Sequence, residues 1–122
     1  MPKLSSIASI TCWYGKFPWY LPYFLHSCAF NPTVDFFIIT DNYERIDNKP
    51  DNVKITYKTL DEIKAIASRK LGFKVNIDYP YKLCDFKPAY GFLFPEIIQD
   101  YDFWAQSDLD IIFGDIRLFL TE

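Results

Sequence analysis

Val34-Asp35-Phe36-Phe37-Ile38-Ile39-Thr40, held between Pro32 and Asp41-Asn42, decides the fold class. Side chains of an extended segment alternate between two faces, and here apolar residues occupy both sets of positions. Such a run belongs at the centre of a sheet covered on both faces, the usual state of a parallel strand. Asp41 then stands at the carboxyl end of that strand.

The residues on either side are consistent with this reading. Ser6 to Trp13 is rich in small and β-branched residues and ends near Gly15, which predicts a first buried strand running into a loop. Pro18 and Pro22 suit the first turn of a helix, and Leu21, Phe24, Leu25 and Cys28 recur on one of its faces until Asn31-Pro32 ends it. Residues 43–52 are polar, with Asn48, Pro50 and Asn52, and form a loop before a short strand from Val53 to Tyr57. Thr59-Leu60-Asp61-Glu62 matches a capping box, Leu60, Ile63, Ile66, Ala67 and Leu71 form a stripe, and Gly72 suits a left-handed helix end. Residues 73–84 are expected to form a loop with a short strand. Lys87 to Ile98 is expected to be a helix entered at Pro88 and kinked or divided at Pro95. A last buried strand follows. The order predicts one α/β domain over residues 1–122, with a mostly parallel, Rossmann-like sheet flanked by helices. Ligands of such sheets bind outside the carboxyl ends of the strands, where Gly15, Asp41, Asp108 and Asp110 would meet.

Tyr101-Asp102-Phe103-Trp104-Ala105-Gln106-Ser107-Asp108-Leu109-Asp110-Ile111-Ile112-Phe113-Gly114-Asp115 carries the chemistry. If extended, it points Asp108 and Asp110 to one side and Leu109 to the other. Two adjacent carboxylates repel, and a hard divalent cation such as Mg²⁺ or Mn²⁺ keeps both ionised while sharing its oxygen ligands with phosphates. The pattern therefore points to diphosphate handling. A solvated acidic pair at a sheet end is the plain alternative. The similar Asp100-Tyr101-Asp102 precedes the apolar run and reads as the end of a turn.

Bulk properties narrow the field. With 122 residues, half of them hydrophobic and one in five aromatic, the chain can bury one core. A net charge of -3 without a Lys/Arg cluster argues against a nucleic-acid surface. Cys12, Cys28 and Cys84 lack metal-site spacing and read as reduced thiols, which fits a cytoplasmic setting. The first ten residues hold too short an apolar run for a signal peptide or membrane span. His26, the only histidine, has no ligand partner at useful spacing and reads as structural. Asp115 suits the cap of the next helical turn or a brace for the aspartate loop. Neither a Gly-x-x-x-x-Gly-Lys phosphate loop nor a Gly-x-Ser-x-Gly elbow is present.

Lys87-Pro-Ala-Tyr-Gly-Phe-Leu-Phe-Pro-Glu-Ile-Ile98 followed by Asp108-Leu-Asp-Ile-Ile-Phe-Gly-Asp-Ile116 resembles the donor-binding half of GT-A glycosyltransferases, and more narrowly the glycogenin-like and capsular-polysaccharide-type enzymes with a DxD motif. The resemblance implies that Asp110 binds Mn²⁺ or Mg²⁺, that Asp108 binds the cation or the donor ribose, and that the donor is a UDP- or GDP-sugar. It places Asp41 near the nucleotide, Lys87 on the phosphates or sugar, and Tyr14 stacked on the base. A solvated Lys87 is the plain alternative for that residue. The resemblance also implies a saccharide acceptor and a role in surface polysaccharide synthesis, and it leaves open a position peripheral to the membrane for a cytoplasmic enzyme. Enzymes of this type run to well over twice this length, so a donor-binding half lacking the acceptor half is expected. The competing reading is a noncatalytic module that pairs with a second copy through exposed aromatics. A metal-dependent phosphohydrolase or nucleotidyltransferase shares the acid pair but needs further acids that the sequence does not place.

Overall fold

β2 (Val34–Thr40) pairs in parallel with β1 (Ile7–Trp13) along its whole length, from Ile7 opposite Val34 to Trp13 opposite Thr40. These strands form the centre of the computed structural model, which describes residues 4–120. β3 (Val53–Tyr57) lies beside β2 and β4 (Phe103–Gln106) beside β1, giving a sheet of order β3-β2-β1-β4 in which all strands are parallel. The fold is α/β and Rossmann-like, as the sequence predicts. The chain builds outward from β1 to β3 and then returns to the other side of β1 for β4. The strand order thus reverses between β1 and β4, and open α/β sheets part there to leave a crevice.

Period-two alternation divides the core into two layers. Ile7, Val34, Phe36, Ile38 and Val53 face α1 (Leu21–Ala29), whose Leu21, Phe24, Leu25 and Cys28 are buried against them. Ile10 and Ile39 face the other way, toward Ile63 and Ala67 of α2 (Leu60–Leu71) and the short helices α3 (Tyr90–Leu93) and α4 (Pro95–Ile98). Asp35, the one charged residue of β2, accepts a hydrogen bond from the Tyr101 hydroxyl. The α2 capping box is complete: Thr59 Oγ1 accepts from Glu62 N–H at 3.0 Å, and Glu62 Oε1 accepts from Thr59 N–H at 3.2 Å. Gly72 closes the helix in the left-handed region, with φ of 77°.

Three local expectations are corrected. Residues 73–84 contain no strand; Val75 and Ile77 are buried in coil, and a 3₁₀ segment runs from Pro80 to Ala89, taking in Pro88. The helix expected over 87–98 is divided at Pro95, as the sequence predicts, but its first residues belong to the 3₁₀ stretch and only α3 and α4 are α-helical. Phe94 separates the two helices with φ -125° and ψ 59°, because the ring of Pro95 pushes the preceding residue out of helical conformation. Finally, β4 is a four-residue edge strand with Phe103 exposed, and it stops before the aspartates. Asp108 and Asp110 lie in the turn beyond it. Their alternation survives the change, since Leu109 is buried, Asp108 half-buried and Asp110 exposed.

Two asparagines tie the chain together under α1. Asn52 Nδ2 donates to the carbonyls of Cys28, Asn31 and Val34 at 2.9, 3.0 and 2.9 Å. Asn31 Nδ2 donates to Gly114 O at 2.9 Å, and its Oδ1 accepts from Ile116 N–H at 2.8 Å. Residues after the aspartate turn are therefore anchored to the end of α1. As expected, Asp115 caps the following turn, with Oδ1 accepting from Arg117 N–H at 3.0 Å.

Candidate functional site

β1 continues to Trp13, but β4 pairs only with Ile7 to Ile10. Past that point the sheet is open on one side of β1, and a cleft of about 360 Å³ fills the space. Thr11 to Tyr14 form its floor, Leu83, Cys84, Lys87 and Tyr90 one wall, and Asp108 to Asp110 the rim.

The rim is fixed from below. Ser107 N–H donates to Ile10 O at 3.0 Å, and its hydroxyl lies 2.8 Å from those of both Ser9 and Thr11. These three hydroxyls are buried, so each depends on the others for its hydrogen bonds. Leu109 sinks into the α1 layer one residue further on. With Ser107 and Leu109 both held, Asp108 and Asp110 are left beside the cleft.

The two carboxylates differ. Asp108 Oδ1 accepts from Lys87 Nζ at 2.7 Å and from Gln106 Nε2 at 3.0 Å. The hydrogen bond to Asp108 raises the Lys87 pKa above its ordinary value, against the opposing effect of burial, and the charge of Asp108 adds to the rise. Lys87 is thus a firmly charged ammonium paired with Asp108. Asp110 is exposed and has no ion pair among the described residues.

Of the five residues expected at the site, Tyr14, Lys87, Asp108 and Asp110 line the one cleft. Tyr14 also packs on the α2 core layer, and its hydroxyl is buried without a hydrogen-bond partner among the described residues. Burial holds its pKa above the usual tyrosine range. Asp41 stands behind the cleft. Its Oδ1 accepts from Gly15 N–H at 3.0 Å while Asn42 Nδ2 donates to Gly15 O at 3.0 Å, and Gly15 adopts φ 89°. Together they fix the turn that follows Trp13 and Tyr14. His26 lies on the exposed face of α1 with its ring edge against Phe30.

Sequence reading missed Gln106 and Tyr90. Gln106 sits two residues before Asp108, the spacing that places strand neighbours on one face, and Tyr90 sits one helical turn after Lys87. Cys12, beneath Tyr90, is a neutral thiol whose pKa burial pushes up to about 12.

Among the described residues no group of three or more His, Cys, Asp or Glu side chains converges on a metal position. Two carboxylates do not make a closed protein cage of the structural-zinc kind. They do suit Mg²⁺ or Mn²⁺, which is commonly held by one or two carboxylates, with water and substrate phosphates completing the shell. Asp108 and Asp110 would be the holders, and Asp110 has the fewer competing partners.

A family model described as a family of unknown function, DUF6625, matches residues 9–122. The chain belongs to the DUF6625 family. No curated protein and no solved structure matches it. The DUF6625 match includes every cleft residue named above. Among the described residues, no helix is long and apolar enough to cross a membrane.

Proposed function

We propose that this chain is the nucleotide-sugar-binding domain of a metal-dependent glycosyltransferase, with a UDP- or GDP-sugar as donor and a saccharide as acceptor. The observation that carries the reading is the rim of the switch-point cleft, where Asp108 and Asp110 stand beside Lys87. A site for a diphosphate and a divalent cation needs carboxylates for the ion and a fixed positive group for the phosphate oxygens, and this rim offers both. The resemblance of residues 87–98 and 108–116 to GT-A enzymes supports the same assignment.

Within this reading each side chain has a task. Asp110 and Asp108 would hold the cation. A bound Mn²⁺ or Mg²⁺ supplies Lewis-acid stabilisation of the charge that gathers on the leaving diphosphate. Lys87, kept protonated by Asp108, swings from that carboxylate to the phosphate oxygens as they arrive. Tyr14, on the cleft floor, stacks on the base, and Asp41 keeps the Gly15 turn in place behind it. A cytoplasmic enzyme of surface polysaccharide assembly, acting at the membrane face, is the setting this implies.

A noncatalytic module that self-associates is the second reading. It draws on Leu118 and Phe119, which are 69% and 82% exposed.

Calorimetric titration with UDP and GDP, with and without Mn²⁺, separates the two. The proposal expects binding that requires Mn²⁺ and is lost in folded Asp108→Ala and Asp110→Ala variants. Binding indifferent to Mn²⁺ and to both substitutions would contradict it, and self-association without nucleotide binding would favour the second reading.

A further inference from the structure

The aspartate turn has a second side. Facing α1 rather than the α3 wall, a groove of about 400 Å³ is bordered by Trp19, Tyr20 and Tyr23 on one side and Ile111 and Ile112 on the other. That volume lies in the range of small-molecule clefts, about 300–1,000 Å³. Phe24 and Leu109 form its apolar base, and Asp110 stands at its lip.

The aromatic residues are unusually bare. Trp19 is 81% exposed and Tyr23 59%, with ring planes at 83° to each other and centroids 6.3 Å apart. Trp19 meets Tyr20 at the same angle, 5.6 Å away. Trp19 and Tyr23 therefore form a corner of two flat surfaces. An aromatic face is the negative side of the ring quadrupole and attracts the weakly positive C–H groups of a partner.

The carboxylate decides between occupants. In the cation-free protein a lipid tail or an apolar helix laid in this groove would cover Asp110 without giving it a donor, and burying a charge unpaired is costly. A pyranose ring satisfies both features: its C–H face lies on an aromatic ring while its rim hydroxyls donate to the carboxylate. We infer that the Trp19–Tyr23 corner with Asp110 is a saccharide-binding site. Its assignment to the acceptor rests on the proposed glycosyl transfer, but the binding of a sugar there does not. Tyr20, Leu109 and Asp110 line both the groove and the carboxylate cleft, so the two spaces meet at the turn. A saccharide on Trp19 would lie just across the turn from the diphosphate position.

The test is a two-dimensional NMR titration of the tryptophan indole N–H signals with lactose, maltose and cellobiose, in the absence of nucleotide and cation. Trp104, packed under Gly91 in the other core layer, serves as the internal control. The inference expects at least one disaccharide to shift the Trp19 signal saturably and leave Trp104 unmoved. It expects Trp19→Ala to weaken that binding at least tenfold, with Tyr23→Ala and Asp110→Asn each weakening it severalfold. Trp19 is exposed enough that its removal leaves the core intact, which an unchanged Trp104 signal verifies. No Trp19 shift with any of the three sugars would overturn the inference, as would binding that survives Trp19→Ala. A Trp19 shift that follows protein concentration instead would overturn it by showing that a second copy fills the groove. Because nucleotide and cation are omitted, failure here is distinguishable from failure of the donor-site reading.

Discussion

Gln106, Asp108 and Asp110 share one alternation, yet their surroundings set them to different work. Asp108 is already neutralised by Lys87 and braced by Gln106, whereas Asp110 is exposed and unpaired among the described residues. The two aspartates were legible from their spacing together with the apolar residues before and after them, and although the strand stops short, the burial of Leu109 leaves both beside the cleft. The Lys87 partnership was not legible, since its residues are far apart in sequence and only the folded sheet brings them together. Gly91 shows a different constraint. A Cβ there would lie 2.3 Å from the Trp104 ring, against a neighbour fixed in the core layer. Gly91→Ala is therefore expected to destabilise the fold by about 1–3 kcal/mol through overpacking. Urea unfolding would measure the loss, and an unchanged midpoint would show that Trp104 moves aside at no cost.

Elements with local signals matched the sequence; those decided by distant contacts did not. The capping box and Gly72 fix α2 because each hydrogen bond there spans only a few residues. In the Lys87–Ile98 segment the division at Pro95 was legible, because a proline constrains the residue before it, whereas the 3₁₀ winding of residues 87–89 was not. β4 ends early because its pairing with β1 gives way to the hydroxyl cluster of Ser9, Thr11 and Ser107, a contact invisible in a linear chain. The junction of α1 and β2 depends on another such contact, the Asn52 amide. Asn52→Ala should cost about 2–3 kcal/mol, since three carbonyls lose a shared donor. Asn52→Asp should cost more, because a carboxylate would face three carbonyl oxygens. Thermal unfolding of both variants checks the ranking, and an aspartate variant as stable as the alanine one would show that water replaces the amide.

At the scale of the whole molecule, the parallel sheet was readable from the alternation of strands and helices, whereas the strand order and the cleft between β1 and β4 were not, because no local signal says which strand β4 pairs with. Stability should depend on pH in one direction. Burial pushes both Cys12 and Cys28 from 9.0 to about 12, and Lys87 is also raised. A group with a raised folded pKa binds more protons in the native state, so its contribution is intact below the unfolded pKa and is lost as pH climbs through the folded value. The urea midpoint should accordingly hold steady to about pH 8 and then fall as pH rises above about 9. A midpoint that rises over that range would contradict the buried, neutral thiols.

The cation site is the central claim, and Mn²⁺ reports its own position by broadening nearby NMR signals. Adding trace Mn²⁺ to the protein with UDP or GDP should broaden the backbone amides of Ser107 to Ile111 and of Lys87 first. The effect should be weaker without nucleotide and absent in a folded Asp108→Ala/Asp110→Ala variant. Broadening that centres on another acidic cluster, or persists in that variant, would contradict the account.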